Sequence, residues 1–94
     1  MESISEFYGR GIEIIDSKNN DYARESDPFK NFRSAEVAGV NVGRAILVRI
    51  LDKMSRVSNL LDREASVKDE TINDTLLDMA NYIAILNAYL ENGD

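Results

Sequence analysis

Apolar positions recur at helical spacing along nearly the whole chain, and their grouping predicts three helices. The first runs from about Ile4 to about Asn19. Ile4, Phe7, Tyr8, Ile12 and Ile15 form its stripe. Ser3 can cap it, and Glu6 can reach back to complete a capping box. Gly11 lies on the same stripe. A glycine there weakens a helix by roughly 1 kcal/mol relative to alanine, so its position predicts close packing against a neighbour. The second helix starts near Asn41, an expected N-cap, and ends near Asp62. Leu47, Ile50, Leu51, Met54, Val57 and Leu61 form its expected core stripe, which Ile46 and Leu60 widen. The third starts after Ser66, with Asp69 as a further cap signal, and ends before Gly93. Ile72, Leu76, Met79, Ala80, Ile83, Leu86 and Leu90 make its stripe. Tyr82, Ile85 and Tyr89 add apolar surface on another side.

Between the first two helices the period fails. Pro28, the only proline, forbids a continuing helix and makes Asp27 extended. Phe29 and Phe32 are the apolar anchors of this stretch, which predicts an ordered loop pinned by them. Ser34 to Ala38 reads as one helical turn stopped by Gly39.

The expected fold is therefore all-α, a single domain over residues 1–94. Two long helices form a hairpin, joined by the short stretch Arg63 to Ser66, with a shorter N-terminal helix beside them. Their apolar faces are wider than one hairpin covers, which predicts a four-helix-type bundle completed by oligomerisation, most simply a homodimer. Ile46, Ile50, Leu76, Ile83 and Leu86 are expected among its buried residues. Length points the same way. A 94-residue chain has a marginal core, and small domains are ordinarily propped by disulfides, metals or self-association. Cysteine is absent, so disulfides are excluded; histidine is absent too, which removes the ordinary zinc site.

Charge narrows the function classes. The net charge is −6, from 17 acidic and 11 basic residues. Such a chain is poorly suited to gripping a nucleic-acid duplex, which needs clustered Lys and Arg. No apolar run approaches the roughly 18–20 residues of a membrane span, and Met1-Glu2-Ser3 lacks the features of a signal peptide. The expected compartment is the cytoplasm.

Two polar constellations stand out. On the third helix, Glu70, Asp74, Asp78 and Asn81 follow at spacings of four, four and three, making one stripe of three carboxylates and an amide. Like charges so spaced repel. The stripe is either a solvated face or a place for a hard cation such as Mg2+, which oxygen ligands suit. On the second helix, Arg49, Asp52, Lys53 and Arg56 form a mixed patch. It is either a ladder of intrahelical ion pairs or a cationic surface for phosphate oxygens, with Asp52 able to join Glu70, Asp74 and Asp78 at a metal. Lys18, Asp21 and Tyr22 lie where a loop could close over a ligand, with Tyr22 or Phe32 able to stack on a base. Without histidine there is no nucleophile–histidine pair. Gly39, Gly43 and Gly93 are isolated, so no phosphate-binding glycine loop is present.

The segments Lys18–Tyr22, Ile46–Arg56 and Glu70–Tyr82 resemble the nucleotide-modification-associated domain 1 family, a group common in phages. The most specific part is the run Asp74-Thr75-Leu76-Leu77-Asp78 followed by Asn81-Tyr82. The chain is more distantly similar to the MazG-type all-α nucleoside triphosphate pyrophosphohydrolases. These are helical oligomers that hold magnesium on acidic residues of two neighbouring helices. Asp74 falls at the Asp of their Glu-x-x-Asp pair, Thr71 at its Glu, and Glu70 one residue away. The other helix offers Asp52. What the resemblance implies is a phage-type protein of nucleotide metabolism, in a host cytoplasm. It would bind or hydrolyse a nucleotide, with Arg49, Lys53 and Arg56 on the phosphates, Lys18, Asp21, Tyr22 and Asn81 about the nucleotide, and magnesium on the carboxylates. The alternative is a non-catalytic interaction protein that binds a host protein or sequesters a nucleotide signal.

Overall fold

The computed structural model describes residues 2–21, 29–63 and 65–92, without the side chains of 18–21 and 65–71. It is all-helical, with no strand among the described residues. Helix α1 spans Ile4–Asp21, α2 Lys30–Arg33, α3 Val42–Leu60 and α4 Ala65–Asn92, with a 3-10 turn at Ser34–Ala38. Antiparallel packing of α3 on α4 is the main contact, and α1 lies against the other side of α4.

The helix ends are fixed by local chemistry. The Ser3 hydroxyl accepts from the Glu6 amide at 3.1 Å, and the Glu6 carboxylate accepts from the Ser3 amide at 3.2 Å. This is the reciprocal capping box. Asn41 caps α3, its side-chain oxygen accepting from the Arg44 amide at 2.7 Å. Gly39 ends the 3-10 turn in the left-handed region at φ 79°, where a side chain would be strained. α1 runs two residues beyond the expected end, and α4 starts at Ala65 rather than after Ser66. The Ser66 side chain and Gly93 lie outside the described residues.

The core sits where α2 meets the hairpin. Phe29, Phe32, Val42, Ile46 and Ile50 are its buried members. Phe29 meets Tyr89 edge-on at 5.4 Å between ring centroids, and Phe32 meets Tyr82 likewise at 5.9 Å. The two phenylalanines are anchors as the sequence predicts, but Lys30–Arg33 is a short helix where a loop was expected, and residues 22–28 lie outside the described residues.

The stripes need correction. On α3 the residues facing α4 are Ile46, Ile50, Lys53, Val57 and Leu60, which follow one another at spacings of four and three. Leu47, Leu51, Met54 and Leu61, expected in the core, point outward. On α4 the inward line is Thr75, Met79, Tyr82, Leu86 and Tyr89, while Leu76, Ile83 and Leu90 are exposed. On α1 the inward residues are Phe7, Arg10, Gly11, Ile14 and Ile15, whereas Ile4, Tyr8 and Ile12 are exposed. Gly11 does mark a close approach. A Cβ built there would lie 2.9 Å from Asn81 Oδ1 and 3.2 Å from Leu77 Cδ1.

Candidate functional site

The residues one position before Ile50, Lys53, Val57 and Leu60 on α3 line a cleft. Arg49, Asp52, Arg56 and Asn59 follow at spacings of three and four, so they share one flank of α3, and Arg63 lies in the turn just beyond its end. With Lys53, Ser55 and Leu60 they bound a cleft of about 520 Å³. That lies within the roughly 300–1,000 Å³ usual for small-molecule sites. Four of its lining residues are cationic and one is anionic, in a chain whose net charge is −6.

The same displacement on α4 selects Asp74, Asp78 and Asn81, each one residue before an inward position. In an antiparallel pair, equal displacement around both helices leads to the same side of the hairpin. The cationic line of α3 and the acidic line of α4 therefore flank the core together. Here they meet within one chain: Lys53 Nζ lies 3.4 Å from Asp78 Oδ2. That bridge sets Lys53 of α3 beside Asp78 of α4.

Farther along α4 the acidic line is engaged by α1. Arg10 donates to Glu2 at 2.9 Å and to the Asn73 side-chain oxygen, and it lies 3.9 Å from Asp74. The hydrogen bond from Arg10 holds the Glu2 carboxyl below its ordinary value, and Glu2 in turn raises the Arg10 guanidinium. Asn81 donates to the Gly11 carbonyl at 3.4 Å. Asn81 is thus engaged by α1 and does not line the α3 cleft.

Of the residues expected at a nucleotide site, Arg49, Lys53 and Arg56 come together in the cleft with Asp52. The side chains of Lys18, Asp21 and Glu70, and all of Tyr22, lie outside the described residues, and so does the lid expected of the Asp21-Tyr22 loop. Asp52, Asp74 and Asp78 do not converge, since Asp74 lies by Arg10, Asp78 by Lys53, and Asp52 on the exposed flank of α3. Among the described residues no three acidic side chains stand in a metal-holding arrangement. Arg63, Asn59 and Ser55 join the cleft without having been expected there. Asn59 was findable from its spacing to Asp52 and Arg56 on one face of the helix, whereas Arg63 lies past the helix end, where that spacing gives no signal.

No helix among the described residues is long and apolar enough to cross a membrane. Comparison with protein-family models, curated proteins and solved structures finds no match for this chain.

Proposed function

We propose that the chain binds the phosphate groups of a nucleotide in the cleft on α3. The observation that carries this reading is the gathering of Arg49, Lys53, Arg56 and Arg63 around one cleft in an otherwise acidic chain. Guanidinium groups suit phosphate because their forked donors match its oxygens in pairs. Seven-residue spacing sets Arg49 and Arg56 about 10 Å apart along the helix axis at 1.5 Å per residue. A single phosphate would meet one arginine and Lys53; a polyphosphate would reach two. Asp52 among them disfavours a ligand that is anionic along its whole length. It suits one with a polar, uncharged part, such as a sugar hydroxyl or a base edge.

The resemblance to nucleotide-handling families supports the same reading. It also implies magnesium on Asp52, Glu70, Asp74 and Asp78. The described members of that set do not fit a shared ion, because Asp74 and Asp78 are turned to cations on different elements. The proposal is therefore of binding, with no chemical step assigned.

The second reading, an interaction protein that takes an acidic peptide of a host protein, draws on the same cleft. Arg49 and Arg56 on α3 and Arg63 in the turn after it are exposed and line one cleft, a form that a peptide strand can also follow. Calorimetric titration separates the two. Nucleoside mono-, di- and triphosphates and inorganic triphosphate are titrated, with and without magnesium, into the native protein and an Arg49→Ala/Arg56→Ala double variant. Binding that tightens with phosphate number, weakens at high salt and falls by at least about tenfold in the variant is expected. Native and variant proteins that fail alike to bind every phosphate ligand at millimolar concentration would sink the nucleotide reading and leave the peptide one.

A further inference from the structure

The displacement by one residue also runs the other way. One position after each inward residue of α3 come Leu47, Leu51, Met54, Ser58 and Leu61. One position after each inward residue of α4 come Leu76, Ala80, Ile83, Asn87 and Leu90. Both lines keep spacings of four and three throughout, the heptad pattern by which helices pack knobs into holes. Because α3 and α4 are antiparallel, the two lines lie on one side of the hairpin, opposite the phosphate cleft. None of these ten positions carries a charge, although 30% of the chain is charged. Yet the face is open to solvent. Leu51 is 51% exposed, Met54 52%, Ile83 52% and Leu90 69%.

We infer that this face is the docking surface for a second copy of the chain, the two hairpins closing an antiparallel four-helix bundle. Three observations select that occupant. The face is itself a pair of antiparallel helices with matched heptad seams, so a two-fold rotation lays each seam against a helix of the same pitch and spacing. Its area is right as well. The accessible surface is 6931 Å². A compact monomer of this mass exposes about 5,500 Å², an excess of roughly 1,400 Å². A standard interface removes about 800 Å² from each partner, so one dimer contact absorbs much of that excess. The radius of gyration, 14.7 Å, likewise exceeds the roughly 12 Å of a compact chain of this length. Finally, the uncharged seam offers nothing that would select a charged partner. Ser58 and Asn87 are the polar members, one per seam, and buried polar side chains at such positions set register and helix number.

Sedimentation velocity over 1–100 µM tests the inference on the native chain and on Leu51→Glu and Ile83→Glu. Both residues are half exposed in the single chain, so the variants keep the native helical circular dichroism. A carboxylate buried in a dry seam would weaken association by about a hundredfold or more. The expected result is a native dimer and two helical monomers. A third protein, Met54→Cys, reads the contact directly in this cysteine-free chain: under oxidising conditions it should form a disulfide-linked dimer that retains native helicity. A native chain that stays monomeric at 100 µM overturns the inference and leaves a helix of another protein as the occupant. A dimer unchanged by both glutamate variants overturns it too, because the contact then lies elsewhere. The cleft is on the opposite flank, so phosphate binding can fail while the dimer stands, and the reverse.

Discussion

α4 is held from two sides by contacts of different kinds. Against α3 it presents side chains of intermediate to large size, and the joint is closed by Phe29 and Phe32 beneath Tyr89 and Tyr82. Against α1 it offers Leu77 and Asn81 to a glycine, and Asn73 and Asp74 to an arginine. The first contact is stabilised by apolar area removed from water. The second depends on close approach and on polar geometry, so its strength rests on shape and charge state. The difference teaches where the molecule is tolerant. The α3 joint loses stability in proportion to volume removed; the α1 joint loses it when anything is added or when a charge is neutralised.

The largest expected effect breaks the α3 side. Ile46 is fully buried at the centre of the core. Ile46→Ala should cost about 2–5 kcal/mol, as deletions of buried aliphatic side chains do, read as a lower urea midpoint with the slope unchanged. A loss under 1 kcal/mol would mean that the core closes over the deletion. Next comes Gly11→Val, which inserts volume where a Cβ alone already meets Asn81 and Leu77. A cost of about 1–3 kcal/mol is expected, set against a smaller gain in helix propensity. An unchanged midpoint would show that α1 is able to lift from α4 without loss.

The smallest effect sharpens the polar side. The folded-state pKa of Glu2 is lowered, chiefly by its hydrogen bond from Arg10. The stabilisation is therefore whole above the ordinary carboxylate value and is lost as pH falls through the lowered one. Urea midpoints measured at neutral pH and below about pH 4 should converge between the native protein and Glu2→Gln as acid removes the pair. Curves that keep a constant separation at every pH would assign Glu2 a role that is independent of its charge.

Much of this was legible from the residues. Ser3 with Glu6, Asn41, Gly39, Phe29 with Phe32, and Gly11 are each determined by local chemistry or by an isolated signal in a polar stretch, and the structure places each accordingly. The inward faces of the long helices were legible in part: Ile46, Ile50, Val57, Met79 and Leu86 were expected inward and are, whereas Leu47, Leu51, Met54, Leu61, Leu76, Ile83 and Leu90 are exposed. On α3 the line from Ile46 to Leu60 and the line from Leu47 to Leu61 have the same spacing, and the outer one is the more leucine-rich. Periodicity cannot rank two seams of one period; contact with α4 and the aromatic closure do so. The basic line was read as Arg49, Lys53 and Arg56, with Arg63 in the stretch joining the two helices, and Arg63 does lie there, beyond the last residue of α3. The turn after α3, in which the Arg63 amide donates to the Leu60 carbonyl at 3.0 Å, sets this arginine at the end of the cleft.

The pair of adjacent seams has a consequence for how the fold remains unique. Turning each long helix by the angle of a single residue would carry Leu47, Leu51, Met54 and Leu61 inward and lose little apolar contact. Such a near-degenerate alternative is the kind of frustration that natural sequences suppress. Here the tie is broken by residues outside the repeat. After that turn Phe29 and Phe32 would no longer face Tyr89 and Tyr82, and Lys53 would swing away from Asp78. The four-residue helix that carries Phe32, although too short to be stable alone, thereby acts as the key that permits one rotational setting of its much longer neighbours.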